Sequence, residues 1–324
     1  MTLTKRYALI TVCVIIFLII APVLVLGIQG YIYDFENKKL VRTGIIVIQT
    51  EPKDVEVKIE GNNSTRLRHK SGTVRFLIPG DYEIQISKNG YETWHKRMAV
   101  KAGLVTWVNE SADKIFLIPK EPKLVKESRD WKEEPVRKSS YIYKLEKQNN
   151  SANVADLVRE NTDNPADRTI VLGSVPYRPD NKIYATPSGV IFLVIDRTLY
   201  QAGAGLEYIA DGVESVTWEQ SVNKLVYGNP HELSFYNPYD SGPSQRELIL
   251  RTSEAGGSFC IMPDIGYALR SYDKNIKVIE LDGRDRRNIY DILPSETRLE
   301  IVECDYSVIT VKENGNYKTY ALTK

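Results

Sequence analysis

Side chains that could carry out catalysis are few in this sequence, and they lie far apart. The three histidines are His69, His95 and His231, and none of them has the spacing of zinc ligands. The sequence contains no G-x-S-x-G motif, which would place a nucleophilic serine on a strand-to-helix turn. It also contains no P-loop, G-x-G-x-x-G or C-x-x-C motif. The residues therefore predict a protein that is not an enzyme, with no cofactor and no metal site.

Aromatic and basic side chains give the remaining functional signal. Trp94 and Trp107 lie at predicted strand ends, where an indole ring can stack on a sugar; packing in a core or at a sheet edge is the alternative. The predicted loop DGRDRR brings Arg284, Arg286 and Arg287 together. It is either a solvated turn or a contact surface for an anionic partner. These five residues are the candidate ligand contacts.

An uncharged run precedes the elements that must position these residues. Residues 8–27 read ALITVCVIIFLIIAPVLVLG, and about 20 apolar residues are enough to cross a bilayer as one helix. We therefore predict a transmembrane helix over 8–28 and a tail over 1–7, which Lys5 and Arg6 keep in the cytoplasm. A cleaved signal peptide and a buried core helix are the alternatives. An uncleaved helix makes this a single-pass cell-membrane protein with extracytoplasmic domains.

Composition favours β structure beyond this run. The 324 residues include 20 Tyr but only 7 Phe, and the formal net charge is +1. Tyrosine and β-branched residues are enriched in strands. A net charge near zero gives no strong field that would attract nucleic acid. The chain is therefore predicted to be mainly β, with no nucleic acid among its partners.

Short alternating segments fill residues 43–119. The segment VEVKIEG (55–61) alternates apolar and charged residues, as a half-buried strand does. Pro79-Gly80-Asp81 and Asn89-Gly90 are turn signals between further strands. So many short strands in so few residues predict a small antiparallel β-sandwich.

The same unit resembles a PEGA domain. The residues that carry the resemblance are Thr50, Pro52, Val55, Val57, Ile59, Gly61, Pro79, Gly80, Tyr82, Lys88, Gly90, Tyr91, Val100 and Gly103. The sequence departs from the family at Asp54, where a small alanine is usual, and at Thr73-Val74, where a proline is missing. The resemblance implies a small extracytoplasmic binding or spacer module without catalytic residues.

Residues 120–167 are predicted to be a charged linker. The segment KEPKLVKESRDWKEEPVRKSS (120–140) mixes both signs of charge with two prolines, which is typical of a solvated connector. Residues 154–160 are expected to form one or two helical turns, capped by Asn153.

A weak internal repeat runs through residues 168–324. Segments 213–238, 256–283 and 298–324 each alternate apolar strands with polar turns. A period of about 40–45 residues with four strands is typical of a β-propeller blade. Residues 216–237 also resemble a TolB-like or WD-like blade, with a degenerate middle. We predict propeller-like repeated β-meanders. Because the length allows only three to four blades, three alternatives stay open: strands supplied by the linker, an incomplete propeller, or another all-β sandwich.

Two cysteines lie one predicted blade apart, Cys260 and Cys304. Equivalent positions of neighbouring blades approach each other across the interface between sheets, and export permits a disulfide. A pair of buried thiols is the alternative.

These features together predict a membrane-anchored, extracytoplasmic binding or scaffold protein of the bacterial cell envelope. Its expected partners are the membrane, through one N-terminal helix, and an envelope protein or cell-wall polysaccharide. An envelope hydrolase with an unrecognised site and a purely structural surface spacer are the alternatives. Loops of the C-terminal β domain are the expected location of binding.

Overall fold

Helix α1 (Leu3–Ile28) begins the computed structural model, which describes residues 3–35, 37–61, 66–69, 72–109, 114–131, 140–149, 151, 153–220 and 222–322. Its segment Ile10–Ile28 is long and apolar enough to cross a membrane, and none of that segment is buried against the rest of the chain. The core-helix alternative is therefore wrong. The helix is a candidate membrane anchor or signal peptide. Met1 and Thr2 of the predicted tail lie outside the described residues.

A short hairpin and a two-sheet sandwich follow the helix. The hairpin consists of β1 (Tyr31–Asp34) and β2 (Lys39–Arg42). The sandwich strands are β3 (Gly44–Ile48), β4 (Thr50–Glu51), β5 (Glu56–Gly61), β6 (Arg66–His69), β7 (Gly72–Leu77), β8 (Gly80–Ser87), β9 (Trp94–Val100), β10 (Val105–Trp107) and β11 (Ile115–Phe116). One sheet has the order β10-β3-β7 and the other β6-β5-β8-β9, while β11 pairs with β4.

Alternating side chains build the core between these two sheets. Ile46 and Ile48 of β3 and Val57 and Ile59 of β5 are fully buried in one cluster. The pairings of β10 with β3 and of β11 with β4 are parallel, whereas the sequence predicted only antiparallel pairs. They are parallel because the chain crosses over between sheets before β10 instead of turning in a hairpin.

Five further sheets form the C-terminal domain. Their strands are β12 (Lys123–Ser128), β13 (Tyr141–Lys147), β14 (Val154–Asn161), β15 (Arg168–Pro176), β16 (Lys182–Ala185), β17 (Ile191–Ile195), β18 (Thr198–Ala202), β19 (Leu206–Ala210), β20 (Ser215–Glu219), β21 (Lys224–Gly228), β22 (Glu232–Tyr236), β23 (Arg246–Arg251), β24 (Phe259–Met262), β25 (Tyr267–Ser271), β26 (Ile276–Glu280), β27 (Ile289–Ile292), β28 (Glu300–Asp305), β29 (Val308–Glu313) and β30 (Asn316–Ala321). Two single 3-10 turns interrupt them at Gly242–Gln245 and Pro263–Ile265.

We number the sheets 1 to 5 along the chain. Their orders are β13-β14-β15, β16-β17-β18-β19, β20-β21-β22-β23, β24-β25-β26-β27 and β12-β30-β29-β28. Four apolar clusters join sheet 1 to 2, 2 to 3, 3 to 4 and 4 to 5. Strand β12 comes from the start of the domain and pairs with β30 from its end. Consecutive antiparallel meanders that pack face to face in this way make the domain propeller-like.

Three strands lie in the region that the sequence indicated as a linker, 120–167. Strand β12 is almost wholly exposed and β13 is half-exposed, so neither shows a strong apolar alternation. They supply strands that the count of three to four blades lacked. The helical turns expected at 154–160 are wrong, because β14 is bonded on both sides, to β13 and β15. Residues 132–139 of this region lie outside the described residues.

Loops of the propeller-like domain emerge at two opposite faces. Because the strands of each meander alternate in direction, its middle hairpin and its link to the next sheet lie on one side. This side, the open face, carries loops 211–214, 229–231, 252–258, 272–275, 293–299 and 314–315. The opposite side, the sandwich face, carries loops 237–245, 263–266, 281–288 and 306–307, and the sandwich packs against it.

Candidate functional site

Loop 281–288 on the sandwich face binds the edge of strand β9. The backbone N–H of His95 donates to Asn288 Oδ1 at 3.2 Å, and Asn288 Nδ2 donates to the His95 carbonyl at 3.0 Å. The backbone N–H of Arg97 donates to Asp285 Oδ2 at 2.9 Å. An edge strand exposes unpaired backbone groups that invite pairing with another chain. Here the propeller-like domain covers that edge with side chains of one loop.

A buried charge cluster lies behind this edge. Lys96 Nζ lies 2.9 Å from Glu280 Oε1 and 3.5 Å from Asp282 Oδ2, and the three side chains are 0%, 4% and 2% exposed. Lys96 also donates to the Asp282 carbonyl at 2.8 Å. Arg284 Nη2 completes the cluster at 2.7 Å from Asp282 Oδ2. Burial of Asp282 opposes its ionisation, but the hydrogen bonds from Arg284 and the charge of Lys96 outweigh burial and lower its pKa. Lys96 and the two carboxylates are thus paired away from water, and the partly exposed Arg284 closes the cluster at its edge.

The side chains of three of the five predicted ligand contacts, Trp94, Arg284 and Arg286, pair across this interface. Trp94 is buried, and its Nε1 donates to Glu280 Oε1 at 3.0 Å. Arg284 donates to the carbonyls of Trp107 and Val108, both at 3.0 Å. The sandwich of the same chain is therefore the partner that both Trp94 and Arg284 contact.

The remaining two arginines of the loop also have partners within the chain. Arg286 Nη2 lies 2.8 Å from His95 Nδ1. Arg287 pairs with Glu247 of sheet 3 and donates to the carbonyl of Leu281. The Trp107 ring is half-exposed on the outer face of the first sandwich sheet. A role for the five residues in contacting a separate ligand stays a prediction.

Apolar packing extends the same interface towards sheets 4 and 5. Phe116 of β11 and Ile118, two residues further on, belong to the core cluster of those two sheets. Tyr267 Oη donates to the Phe116 carbonyl at 2.8 Å, and Tyr290 Oη donates to the Thr93 carbonyl at 3.3 Å. Burial raises the pKa of both tyrosines, so their hydroxyls stay protonated donors. The two domains thus share hydrogen bonds, ion pairs and part of one core.

A polar groove opens on the other side of the propeller-like domain. It lies between sheets 4 and 5, has a volume of about 360 Å³, and is lined by Ser258, Ser271, Arg298, Leu299, Glu300, Lys312, Asn314 and Gly315. Its floor is ordered by two serines, because Ser258 Oγ accepts from the Ile301 N–H at 2.7 Å and lies 3.1 Å from Ser271 Oγ. Arg298 is exposed at the rim, and Lys312 is half-buried. The groove can therefore offer hydroxyls and two positive charges to a ligand.

A buried arginine adds positive charge near the same face. Arg270 is the penultimate residue of β25, is 1% exposed, and donates through Nη2 to the carbonyls of Asn229 and Gly256. Within the described part of the chain, its Nε and Nη1 have no acceptor. Burial lowers the pKa of Arg270. A Cβ at position 256 would overlap this guanidinium, so a glycine is needed there.

Two of the cysteines are bonded to each other, whereas the described histidines lie in separate places. Cys260 and Cys304 form a disulfide that joins β24 to β28, with their Cα atoms 6.3 Å apart. His95 Nε2 lies 2.8 Å from Glu83, while His231 is exposed on loop 229–231. The His69 side chain lies outside the described residues. Among the described side chains, no group of three or more His, Cys, Asp or Glu residues could hold a metal ion.

Sequence reasoning missed both the charge cluster and the groove. Strand β9 reads WHKRMAV, and its buried side is formed by Trp94, Lys96, Met98 and Val100. A lysine on the apolar side of an alternating strand was the available signal for a buried ion pair. The groove residues Arg298 and Lys312 gave no such signal, since Arg298 lies in the loop before β28 and Lys312 lies in β29, and only the pairing of these two strands brings them together.

Known proteins show similarity to parts of this chain. The PEGA domain model matches residues 43–113. A search of curated proteins finds no match to the sequence. The Dos1 propeller is similar at 12% identity and a TM-score of 0.40, over 91% of this chain and 83% of that one. The C-terminal WD40 domain of Sif2 is similar at 10% identity and a TM-score of 0.36, over 88% of this chain and 97% of that one. A gluconolactonase from Xanthomonas campestris is similar at 10% identity and a TM-score of 0.35, over 74% of this chain and 82% of that one.

These structural likenesses are too low to indicate an activity, and the propeller-like description comes from the strand pairing of this chain. The match to the PEGA model agrees with the two-sheet sandwich and with the residues that carried the resemblance. The chain contains a PEGA domain at residues 43–113, placed between an apolar N-terminal helix and a propeller-like β domain.

Proposed function

We propose that this protein is a membrane-anchored, extracytoplasmic scaffold of the bacterial cell envelope, which binds an envelope protein or cell-wall glycan without catalysis. The anchor is α1, whose span Ile10–Ile28 is exposed along its length. On this proposal the chain runs from the cytoplasmic tail through one span, so that both β domains lie outside the cell.

The observation that carries the binding proposal is the polar groove on the open face. The PEGA domain covers part of the opposite face, so the open face is the side left for a partner. The groove presents Arg298, Lys312 and two serines but only one carboxylate, Glu300. Such a lining favours an acidic partner, because guanidinium and ammonium groups form strong charge-assisted hydrogen bonds with carboxylates. Loops held on a rigid sheet scaffold suit recognition.

The hydrolase alternative predicts a different lining. Glycoside hydrolysis ordinarily uses two carboxylates about 5–10 Å apart, on either side of the scissile bond. The described residues that line the groove supply a single carboxylate. This favours binding over hydrolysis at this groove.

Co-sedimentation with purified peptidoglycan tests the proposal. The full chain, solubilised in detergent, is mixed with peptidoglycan, and with peptidoglycan whose carboxylates have been amidated. The Arg298→Ala/Lys312→Ala variant removes both groove cations. The matched control is Arg251→Ala/Lys182→Ala, which removes the same charges from exposed positions away from the groove.

Retention on native peptidoglycan that is lost in the groove variant and kept in the control supports the proposal. Equal retention of both variants overturns the groove as the binding site. Release of soluble sugar fragments over time supports the hydrolase alternative. If no form of the protein is retained, the glycan ligand is wrong, and photo-crosslinking from Asn314 to an envelope protein becomes the decisive measurement.

A further inference from the structure

The end of helix α1 is fixed to the PEGA domain by three hydrogen bonds. The Gly30 carbonyl accepts from the Thr43 N–H at 2.8 Å and from Thr43 Oγ1 at 2.7 Å. The Thr43 carbonyl in turn accepts from the Gly103 N–H at 2.8 Å. These bonds connect the residue just beyond the helix to the start of β3 and to the loop before β10. The position of the PEGA domain relative to the helix is therefore set within a few residues of the helix end.

An apolar surface of the PEGA domain lies beside the last turns of the helix. Phe76, Leu104 and Val105 are 56%, 55% and 49% exposed. They line a groove of about 620 Å³ whose other wall is one side of α1, from Val23 to Ile28. At 1.5 Å per residue, that stretch is about 7–8 Å long. The three side chains thus extend alongside the helix rather than stopping at its end.

Cationic and aromatic side chains surround this apolar surface. Arg42 and Arg75 line the same groove and are exposed. Trp107 follows Val105 on the same side of β10, about 7 Å further from the helix at the usual rise of a strand. Guanidinium groups bind phosphate, and tryptophan is enriched at membrane interfaces. The groove thus combines apolar and cationic side chains, and an aromatic ring lies beyond it; these are the groups that contact acyl chains and headgroups at the boundary of a bilayer.

We propose that Phe76, Leu104 and Val105 insert into the bilayer that α1 crosses, while Arg42 and Arg75 contact its phosphate groups. The inference rests on the proposed anchoring of α1. Phospholipid is the occupant because the surface is continuous with the helix: a bilayer that surrounds Val23–Ile28 also reaches the side chains across the groove. Interfacial segments bury apolar side chains about 5–10 Å into the boundary of headgroups and acyl chains, which agrees with the length of helix that they flank.

Site-specific fluorescence quenching by lipid tests this insertion. The full chain is reconstituted into vesicles of phosphatidylcholine and phosphatidylglycerol that contain lipids spin-labelled along the acyl chain. An environment-sensitive dye is attached at one cysteine at a time, without reductant, so that the disulfide stays intact. The sites are the native Cys13 in α1, Leu104→Cys with Cys13→Ser, and Ser253→Cys with Cys13→Ser. Ser253 is exposed on the open face, opposite the PEGA domain.

We expect deep labels to quench the dye at Cys13. Fluorescence of the dye at Leu104→Cys should be several-fold lower in vesicles with shallow labels than in vesicles without labels. Fluorescence of the dye at Ser253→Cys should be the same in all vesicles. Adding Phe76→Ser should reduce the quenching at Leu104→Cys. Quenching at Cys13 together with a Leu104→Cys signal equal to that of Ser253→Cys overturns the insertion but leaves the anchor standing. No quenching at Cys13 overturns the anchor, and the insertion with it.

Discussion

Replacing Lys96 by methionine should destabilise the folded protein by about 3 kcal/mol. Methionine keeps most of the side-chain volume but removes the positive charge 2.9 Å from Glu280 and 3.5 Å from Asp282. At an effective dielectric constant of 20, each contact contributes about 5 kcal/mol of attraction before desolvation is subtracted. Removing one member of a buried ion pair costs about 3–5 kcal/mol. We take the lower end, because Asp282 keeps Arg284 and Glu280 keeps three N–H donors, one from Trp94 and two from Asn288.

Urea unfolding of the full chain in detergent, followed by tryptophan fluorescence, measures this loss. The matched control is Lys224→Met. Lys224 Nζ lies 3.2 Å from Glu247 and, like Lys96, lies over an aromatic ring, but the two paired side chains are 28% and 39% exposed. Solvent-exposed pairs contribute about 0–1 kcal/mol. The control should therefore unfold close to the wild type.

The pH dependence gives a second, independent check. The folded state lowers the pKa of Asp282. Its carboxylate therefore adds stability above the unfolded value of about 3.9, and this contribution is lost as the pH falls through the lower folded value. The difference between wild type and Lys96→Met should shrink below about pH 4. A loss under about 1 kcal/mol at neutral pH, or equal losses in both variants, would refute the assignment of the cluster as a stabilising contact.

Three further changes have calculable effects. Reducing the Cys260–Cys304 bond, which closes a loop of 44 residues, should lower the free energy of unfolding by about 4 kcal/mol in the chain-entropy model. An unchanged urea midpoint in dithiothreitol would contradict this. Gly44→Ala should lower the free energy of unfolding by more than about 2 kcal/mol, since its Cβ would lie 2.7 Å from a backbone oxygen. The control Gly80→Ala places its Cβ in open space and should cost under about 1 kcal/mol. Thermal unfolding compares the two variants. Tyr267→Phe should cost about 1–3 kcal/mol, because a buried carbonyl loses its donor. Because burial raises the pKa of Tyr267, the wild type should lose stability as the pH rises above about 10, and the variant should lose less in alkaline denaturation.

Local patterns were sufficient to predict the PEGA domain. The alternation of Val57 and Ile59 with charged neighbours, and the Asn89-Gly90 turn, act within one or two strands. Side-chain period and turn conformation are properties of adjacent residues, so a single sequence reveals them. The apolar run of α1 is also a pattern of adjacent residues, so a single sequence reveals it as well.

Long-range pairings were beyond this kind of reasoning. Strand β12 is exposed and charged, and it forms a strand because β30 lies beside it. Lys96 and the Asp282 carbonyl that it binds are 186 positions apart in the chain. Arg284 has the composition of a solvated turn, and only the docked PEGA domain explains its contacts. In each case the missing information is which distant segment supplies the partner.

The pairing of β12 with β30 has a consequence for the biogenesis of this protein. The two strands are about 200 residues apart, so the fifth sheet cannot form until nearly all of the chain is available. At a synthesis rate of about 5–20 residues per second, β12 waits roughly 10–40 s for its partner. During that time its backbone edge is open to pairing with other chains. A chain interrupted before β30 would keep that edge open, which makes truncated copies a target for aggregation and for proteolysis.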